Sequence, residues 1–477
     1  MKINRLHKSV KSAFVYTFAT VFSRGLAIIT VPIFTRLMDT DQIGVVNLYN
    51  SWYSLISVVA TLSLTSGGFA VAMKEFEGER NQYLSSVLSL TSIIGVFIGI
   101  VFSLFGDFWS NVTGLSKLLL CLMVVGFIVA PARDFWLARQ RYEYKYKLAG
   151  CVTIFSAVIA SMVSILAVLF ASNGAHNISV AEYRLFGNYL IIYGIDTVIW
   201  VSILLKGRTF FRKKYWKLSL ALSIPLVGYA VASQILSVSD RIMISKMVSD
   251  SAVGIYSTLY TVSSLSLMVW SAINASFVPY LYQNIGVHNE DIKKISFSLL
   301  ALYSLVAIIL VYLAPEIVKI LATKEYYEAI YIMPPIAGGV YFTSVSNMFS
   351  NVLIYVKKTR YIMISACVAA ALNVVTNYIF IQLFGYMAAA YTTLFGYIVM
   401  AIILFYFANK CSKASGASMD EYYANKQIGA LSLLTTIFCL MGIVIYRFTI
   451  LRYVIIALLA VAVLHFALIY QKRQEKN

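Results

Sequence analysis

Residues 237–246 read SVSDRIMISK, with an acid and a base side by side inside a long apolar run. That run extends over 218–246, which as a helix is long enough to cross the roughly 30 Å hydrocarbon core of a bilayer. Similar apolar stretches recur throughout the chain, which is 60% hydrophobic and 12% charged. Soluble domains carry about 25% charged residues. The composition therefore excludes a water-soluble globule and predicts a protein that crosses a membrane many times.

The predicted fold is all-α, because backbone polar groups in hydrocarbon must be satisfied within each spanning segment. Short polar clusters separate the apolar stretches and divide the chain into about fourteen predicted transmembrane helices. The predicted spans are 12–36, 43–67, 84–106, 115–137, 148–171, 185–205, 218–246, 252–280, 295–315, 329–355, 361–383, 386–408, 427–446 and 450–470.

The net charge of +18 arises from an uneven placement of basic residues. If the N-terminus lies inside, 28 of the 38 Lys and Arg residues fall in connections on the inner side. This is the positive-inside pattern, and it predicts that both termini are cytoplasmic. We interpret the basic excess as a sign of membrane topology and of contact with anionic membrane lipids, and we expect no nucleic-acid partner.

The cysteines and histidines do not suggest a metal site. Five cysteines lie in or near predicted spans without CxxC spacing, and the four histidines are scattered. Neither pattern matches a zinc or disulfide motif. We expect no metal, no other cofactor and no catalytic residue, and we interpret the cysteines as small core residues.

Two segments resemble each other at a constant offset of 210 residues: RLMDTDQIGVV at 36–46 and KMVSDSAVGIY at 246–256. Each has a basic residue at the end of a polar-striped helix, then a turn, then a glycine early in the next helix. With six spans in each half the two halves have the same orientation, which predicts parallel repeats related by an axis along the membrane normal. The predicted organisation is an N-terminal six-helix lobe, a basic cytoplasmic linker, a C-terminal six-helix lobe, and a cytoplasmic loop with two extra helices: 1–206, 207–217, 218–408 and 409–477.

Polar side chains form stripes on several predicted helices, since residues three or four apart share a helix face. A stripe that faced lipid would leave its polar groups unsatisfied, so the stripes face protein or water. Ordinary hydrogen bonds between helices would explain any single stripe. For the first, second, seventh and eighth spans together we favour a shared aqueous cavity. The candidate cavity or substrate-binding residues are Thr20, Arg24, Arg36, Asn47, Asn50, Gln234, Arg241 and Asn274.

Arg24 and Asp196 lie deepest in the predicted bilayer, about 18 Å and about 14 Å from the ends of their spans. Central charges are costly and are commonly functional or paired. One interpretation is a structural ion pair between the two residues. The other makes Arg24 an anion-binding group suited to diphosphate, because guanidinium keeps its charge and forks onto phosphate oxygens.

Asp196 and Asp240 are the candidates for ion coupling or for a structural charge. Asp240 and Arg241 lie nearer the outer end of the seventh span, where exposure to water is less costly. Adjacent residues project about 100° apart on a helix, so this acid and base need not pair with each other.

Three longer stretches resemble the polysaccharide-transporter branch of the multidrug/oligosaccharidyl-lipid/polysaccharide exporter superfamily, and within it the O-antigen and capsule-unit flippases. The resemblance covers essentially the whole chain and implies two six-helix lobes around a central V-shaped cavity, with two extra helices. One departure is FGYMAAAY, where the family more often has a glycine before the alanines. The three stretches are SRGLAIITVPIFTRLMDTDQIGVVNLYNSW at 23–52, SDRIMISKMVSDSAVGIYSTLY at 239–260 and KKTRYIMISACVAAALNVVTNYIFIQLFGYMAAAYTT at 357–393.

This resemblance implies a flippase of the bacterial cytoplasmic (inner) membrane. Its cargo would be an undecaprenyl-diphosphate-linked oligosaccharide repeat unit, moved from the cytoplasmic to the periplasmic leaflet by alternating access of two lobes. Related lipid II flippases carry a basic residue in the first span that contributes to a cationic cavity, and Arg24 is in the matching place. Coupling would use a proton, a sodium ion or the membrane potential. The implied partners are the lipid-linked oligosaccharide, a polysaccharide polymerase and the chain-length machinery.

Two other functions remain as alternatives. A drug/cation antiporter of the same superfamily would favour acidic residues in its cavity, whereas Arg24 is basic. A membrane-embedded polysaccharide polymerase or glycosyltransferase would need a sizeable extramembrane loop or clustered carboxylates, and the sequence has neither. We therefore expect a transporter and not an enzyme.

Overall fold

A computed structural model describes residues 8–65, 68–172, 178–414, 416 and 418–474, with side chains described from 15 to 463 within those ranges except at 225. All regular secondary structure in these ranges is helical, which confirms the all-α prediction. The α-helices are α1 (Lys8–Leu37), α2 (Thr40–Thr61), α3 (Phe69–Glu75), α4 (Arg80–Leu104), α5 (Gly106–Thr113), α6 (Lys117–Tyr142), α7 (Tyr146–Ser172), α8 (Val180–Gly207), α9 (Lys213–Met247), α10 (Asp250–Ser263), α11 (Ser266–Asn284), α12 (Asn289–Tyr312), α13 (Ala314–Leu321), α14 (Met333–Tyr355), α15 (Arg360–Phe384), α16 (Ala388–Ala414), α17 (Met419–Tyr422), α18 (Asn425–Ile445) and α19 (Thr449–Gln474). Short 3₁₀ turns occupy Glu77–Glu79, Lys324–Tyr326 and Glu328–Ile332.

Each predicted span coincides with a helix, except that 252–280 is divided into α10 and α11, which meet at a bend of 42°. Ten of the described helices are long and apolar enough to cross a membrane. The number of spans rises to twelve if two bent units each count as one span: α9, which bends by 47° between Ile224 and Leu226, and the α10–α11 pair. Helices α14 and α19 occupy the remaining two predicted positions. The predicted count of about fourteen is compatible with this arrangement. The predicted connections also hold short helices, among them α5 and α13.

The two repeat segments have the same helix boundaries at the same offset. Helix α1 ends at Leu37 and α9 ends at Met247, while α2 begins at Thr40 and α10 begins at Asp250. The basic residue that closes the first helix of each pair lies in its last turn, where a cation is favourable near the negative end of the helix dipole. The short resemblance at 36–46 and 246–256 therefore corresponds to one local structure formed twice.

Tertiary contacts divide the chain into two compact units, Met1–Gly254 and Ile255–Asn477. In the first unit α4 packs on α6 and α8, α7 packs on α8 and α1, and α2 packs on α9. Buried aromatic residues fill the core between α4, α6 and α9, where the Tyr83 hydroxyl lies 3.0 Å from Ser219 Oγ. Side chains such as Phe97, Leu104 and Leu190 are exposed on the outside, as expected for helices that contact lipid.

The second unit is built around α14, which packs on α16 and α18, with α12 against α18. Its core includes Tyr312 and Cys439, and the Tyr312 hydroxyl donates to the carbonyl oxygen of Phe438 over 3.0 Å. The contact division follows Gly254, within α10, whereas the predicted lobes meet at the linker 207–217. The lobe boundaries and the cytoplasmic placement of the termini stay predictions. Of the predicted linker, only 208–212 lies outside helices, between α8 and α9.

Candidate functional site

Asp196 lies on α8 with its side chain 1% exposed, and its partner is Arg133 on α6. The Arg133 Nε donates to Asp196 Oδ1 over 2.6 Å, and Nη2 donates to the carbonyl oxygen of Ile192 over 3.1 Å. A buried carboxylate held in this way is satisfied both by charge and by hydrogen bonding. The ion pair considered between Arg24 and Asp196 is therefore not the pair observed.

The positive-inside count of 28 inner-side cations includes Arg133, which it assigns to a cytoplasmic connection at 133–147. In the structure α6 continues to Tyr142, so Arg133 lies more than two turns inside the helix. The packing of α6 on α8 brings it to Asp196. The sequence alone does not identify Arg133 as a partner for a buried acid, because a charged residue near the predicted end of a span can belong either to the helix or to the following loop.

Five aromatic rings from α2, α6 and α8 form a cluster in the same unit, which we call the tyrosine cluster. Ring centroids are 4.9 Å apart for Tyr189 and Tyr193, 5.2 Å for Tyr53 and Phe127, and 5.5 Å for Tyr49 and Tyr189. Tyr49 and Tyr53 are four residues apart on α2, as are Tyr189 and Tyr193 on α8, so each pair lies on one helix face. That spacing is visible in the sequence and was the available signal for the cluster.

One edge of the tyrosine cluster is open. Tyr53 and Tyr189 are only partly buried, and Asn50 beside them is exposed. The Tyr189 hydroxyl donates to Asn50 Oδ1 over 3.0 Å. Asp134, next to Arg133 on α6, is also exposed. This unit therefore presents aromatic faces, an amide and charged groups, which together suit a ligand with both apolar and hydroxyl-bearing surfaces.

The three candidate residues on α1 differ in how their polar groups are used. The Thr20 hydroxyl donates to the carbonyl oxygen of Tyr16 over 2.8 Å, and Arg36 Nη1 donates to that of Pro32 over 2.7 Å. Arg24 is exposed and makes no hydrogen bond or ion pair with any side chain that the structure describes. Of these three, Arg24 alone keeps its polar head available.

Asp240 and Arg241 lie in the last third of α9. The Asp240 side chain is nevertheless only 1% exposed, in the unit where α9 packs on α2. It also pairs with its neighbour, since Arg241 Nη1 lies 3.7 Å from Asp240 Oδ1 and Arg241 N donates to the same oxygen over 2.8 Å. The long arginine side chain overcomes the 100° angular separation that adjacent residues have on a helix.

The remaining candidates are placed as follows. Asn47 Nδ2 donates to the carbonyl oxygen of Ile43 over 2.9 Å, and Gln234 is partly buried on α9. In the second unit, Asn274 Oδ1 accepts from Asn351 Nδ2 over 3.2 Å. Many stripe residues bond within their own helix, as Asn47 does, which is the ordinary structural use of such groups. A cavity shared by all of these residues stays a prediction.

The second unit also contains a buried polar cluster. Asn377 Nδ2 donates to Asn373 Oδ1 over 3.2 Å on α15, and the Thr392 hydroxyl of α16 donates to Asn377 Oδ1. Asn373 and Asn377 belong to a polar stripe visible in the sequence, and the structure shows that this stripe faces α16.

Sequence comparisons find similarity to two families and to an archaeal protein. The family described as polysaccharide biosynthesis protein matches residues 9–285, and the MatE family matches residues 225–379. The chain is also 27% identical over 305 residues to an uncharacterized membrane protein of Methanocaldococcus jannaschii. That alignment covers 60% of this chain and 57% of the relative, so the chain spans just over half the length of the curated protein that it matches.

Comparison with solved structures shows a shared fold. The lipid II flippase MurJ in an inward closed conformation superposes with a TM-score of 0.69 at 18% identity, over 97% of this chain and 99% of that one. An inward-facing multidrug resistance MATE family transporter gives 0.63 at 14% identity, over 83% and 96%. A MOP superfamily transporter from Pyrococcus furiosus, described as having a binding pocket of reverse polarity, gives 0.56 at 14% identity, over 83% and 94%.

Proposed function

Since this chain belongs to the polysaccharide biosynthesis protein family, we propose that it moves a lipid-linked oligosaccharide across a bacterial cytoplasmic membrane. The family match and the fold shared with MurJ and MATE proteins confirm its assignment to the flippase and transporter branch of the exporter superfamily. The proposed cargo is an undecaprenyl-diphosphate-linked repeat unit that passes from the cytoplasmic to the periplasmic leaflet by alternating access of two lobes. A polysaccharide polymerase would use the product outside.

The observation that carries this proposal is the unpaired charge of Arg24. Arg24 lies near the middle of α1, about 20 Å from its C-terminal end. A charge at such depth costs about 2.5–3.5 kcal/mol on insertion scales unless it meets water or a counter-charge. Because the described side chains provide no counter-charge, a water-filled cavity or an anionic ligand is the physical explanation. A diphosphate supplies that anion, and guanidinium binds it through two parallel hydrogen bonds.

The tyrosine cluster supports an oligosaccharide head group. Its open edge presents the rings of Tyr53 and Tyr189 next to the Asn50 amide. Flat aromatic faces pack well against the C–H faces of sugar rings, while amides bond their hydroxyl groups. A purely hydrocarbon or purely ionic cargo would need only one of these two kinds of surface.

A cation or drug exporter is the second candidate function. The MatE match over residues 225–379 favours it, as does the exposed carboxyl group of Asp134, which could attract a cationic cargo. In either case transport would be driven by a proton, a sodium ion or the membrane potential. Imposing each gradient separately on proteoliposomes that contain the purified protein would identify the driving ion.

Substitution of Arg24 tests the proposed function. In a strain that lacks the wild-type copy, Arg24→Ala should abolish surface glycan and cause lipid-linked repeat units to accumulate, while the protein remains folded in the membrane. Arg24→Lys, which keeps the charge but loses the bidentate geometry, should retain part of the activity. Lys358→Ala removes an exposed cation elsewhere and serves as the control. Normal glycan in the Arg24→Ala strain would disprove the proposal, and raised drug sensitivity of the deletion strain would favour the exporter.

A further inference from the structure

Two adjoining cavities open at one end of the first unit, where α4, α6 and α8 approach one another. Their volumes are about 280 Å³ and about 510 Å³. They share Asn81, Arg139, Glu143 and Lys206 as lining residues, so we treat them as one site and call it the basic cavity. This is the end of the helices that the positive-inside pattern predicts to be cytoplasmic.

The basic cavity holds more positive than negative charge. The Glu143 carboxylate binds two cations, with Oε1 2.8 Å from Arg139 Nε and Oε2 2.6 Å from Lys145 Nζ. Lys206 and Arg208 line the cavity and form no ion pair with any carboxylate that the structure describes. In this part of the cavity one carboxylate, Glu143, therefore lies among four cations, which leaves a net positive charge that a phosphate group would neutralise.

Glu77 and Glu79 also line the larger part of the basic cavity, but they do not compensate for this excess, because each already has its own partner. Glu77 Oε1 lies 3.1 Å from Arg80 Nη2. Glu79 Oε2 lies 2.8 Å from Lys214 Nζ and 3.1 Å from Arg212 Nη1. The unneutralised charge is therefore localised on the α6–α8 side of the cavity.

The smaller part of the basic cavity also has an apolar wall, formed by Leu84, Trp136 and Ile203. An apolar wall does not stabilise a free phosphate ion. It does stabilise a phospholipid, since the glycerol and upper acyl carbons can pack on the apolar side chains while the phosphate contacts the cations. A tryptophan at the level of the head groups is typical of membrane interfaces.

The backbone around the basic cavity is held firmly. Gly207 packs so closely on α4 that a Cβ atom would overlap the carbonyl oxygen of Asn81. Arg212 N donates to Ser86 Oγ over 3.1 Å, and Trp216 Nε1 donates to the Ser86 carbonyl oxygen over 2.9 Å. The backbone of the segment that carries Lys206 and Arg208 is thus fixed against α4.

We propose that the basic cavity binds the phosphate head group of an anionic phospholipid from the adjacent leaflet. This lipid would be a bound partner of the first unit and separate from the transported cargo. The proposal rests on the charge excess, the apolar wall and the fixed backbone, and it holds whichever substrate the protein moves.

Native mass spectrometry of the purified full-length chain tests this site. Phosphatidylglycerol is titrated against the wild type, the double variant Lys206→Gln/Arg208→Gln and the control Lys294→Gln/Lys358→Gln, which removes two exposed cations elsewhere. We expect the double variant to bind phosphatidylglycerol about tenfold more weakly, since each cation near a membrane surface contributes appreciably to lipid attraction. The control should match the wild type, and phosphatidylcholine should bind all three proteins equally weakly.

Two further variants are titrated with phosphatidylglycerol in the same way. The charge-conserving variant Lys206→Arg/Arg208→Lys should bind like the wild type, and Glu143→Gln should bind more tightly because it frees Arg139 and Lys145 for the phosphate. Equal binding by the double variant and the control would overturn the proposal. Displacement of the lipid by millimolar inorganic phosphate would also overturn it, because it would identify a site for a free anion.

Discussion

Gly44 and Gly254 lie in corresponding positions of the two repeat segments, and each packs against the backbone of the other segment. A Cβ atom built on Gly44 would overlap the carbonyl oxygen of Asp250, and one built on Gly254 would overlap that of Thr40. Next to this crossing the Thr40 hydroxyl lies 2.6 Å from Ser251 Oγ. Because Thr40 and Asp250 are themselves related by the offset of 210 residues, the contact is reciprocal. The starts of α2 and α10 therefore cross at a point of local twofold symmetry.

Gly44→Ala and Gly254→Ala should each destabilise the protein by about 1–3 kcal/mol, because the added methyl group meets backbone atoms that cannot turn aside. The check is the thermal unfolding temperature of the purified variants. Gly194→Ala is the matched control, since nothing lies within 4 Å of the site of its added Cβ. Its stability should be unchanged or slightly higher, because alanine favours helix. Wild-type stability in both Gly44→Ala and Gly254→Ala would contradict the close crossing.

Removal of Arg133 should be strongly destabilising, because it leaves the buried Asp196 carboxylate without a partner. Breaking a buried pair from one side costs about 3–5 kcal/mol, whereas removing both charges costs less. We therefore expect Arg133→Gln to unfold at a lower temperature than the double variant Arg133→Gln/Asp196→Asn.

Two controls accompany that measurement. Lys117 and Asp107 form an exposed pair, with Nζ 2.7 Å from Oδ1, and breaking it should cost less than about 1 kcal/mol. Arg24→Gln should leave stability nearly unchanged, because Arg24 does not pair with Asp196. A large loss of stability in Arg24→Gln, with little in Arg133→Gln, would mean that the pairing is wrong.

The open edge of the tyrosine cluster should affect transport more through its rings than through its hydroxyl groups. Tyr189→Phe removes only the donor to Asn50 and should retain most of the transport activity, whereas Tyr189→Ala and Tyr53→Ala should lose at least about tenfold as stacking is lost. Tyr378→Ala removes an exposed ring on α15 and is the control. Transport of lipid-linked oligosaccharide into proteoliposomes, normalised to folded protein, is the measurement. Full activity of both alanine variants would argue against a sugar-binding role.

Glu143 should make the protein sensitive to acid. Burial raises the pKa of the Glu143 carboxyl, but hydrogen bonds from Lys145 and Arg139 outweigh burial and hold the pKa below its ordinary value of 4.5. A carboxyl whose pKa is lower in the folded state stabilises the protein above its unfolded-state pKa, and this contribution is lost as pH falls through the folded-state value. The wild type should therefore unfold at a higher temperature than Glu143→Gln at pH 7, and the difference should shrink below about pH 4.5.

The same pH series applied to Glu325→Gln provides the comparison, because Glu325 is exposed and lies far along the chain from this network. Its unfolding temperature should follow that of the wild type at every pH. A Glu143→Gln difference that persists undiminished at pH 3 would show that the effect does not come from ionisation of the carboxyl group.

The sequence alone determined the membrane class, the positions of the spans, and the helix break shared by 36–46 and 246–256. The reason is that each depends on local quantities: the length of an apolar run, the polar residues that interrupt it, and a turn with a glycine nearby. The predicted count of about fourteen spans is compatible with the helices, and the apolar run at 252–280 is recognisable although the helix pair there bends, since a bend changes direction but not hydropathy.

Only the tertiary structure decided which charges and rings meet. Nothing in the residues near Asp196 indicates Arg133, 63 positions earlier, until α6 packs on α8. The burial of Asp240 likewise depends on the neighbours of α9. Hydropathy reports the cost of placing a residue in lipid, but it does not identify the helix that covers it. Sequence therefore located the helices, and long-range packing determined the Arg133–Asp196 pair, the tyrosine cluster and the basic cavity.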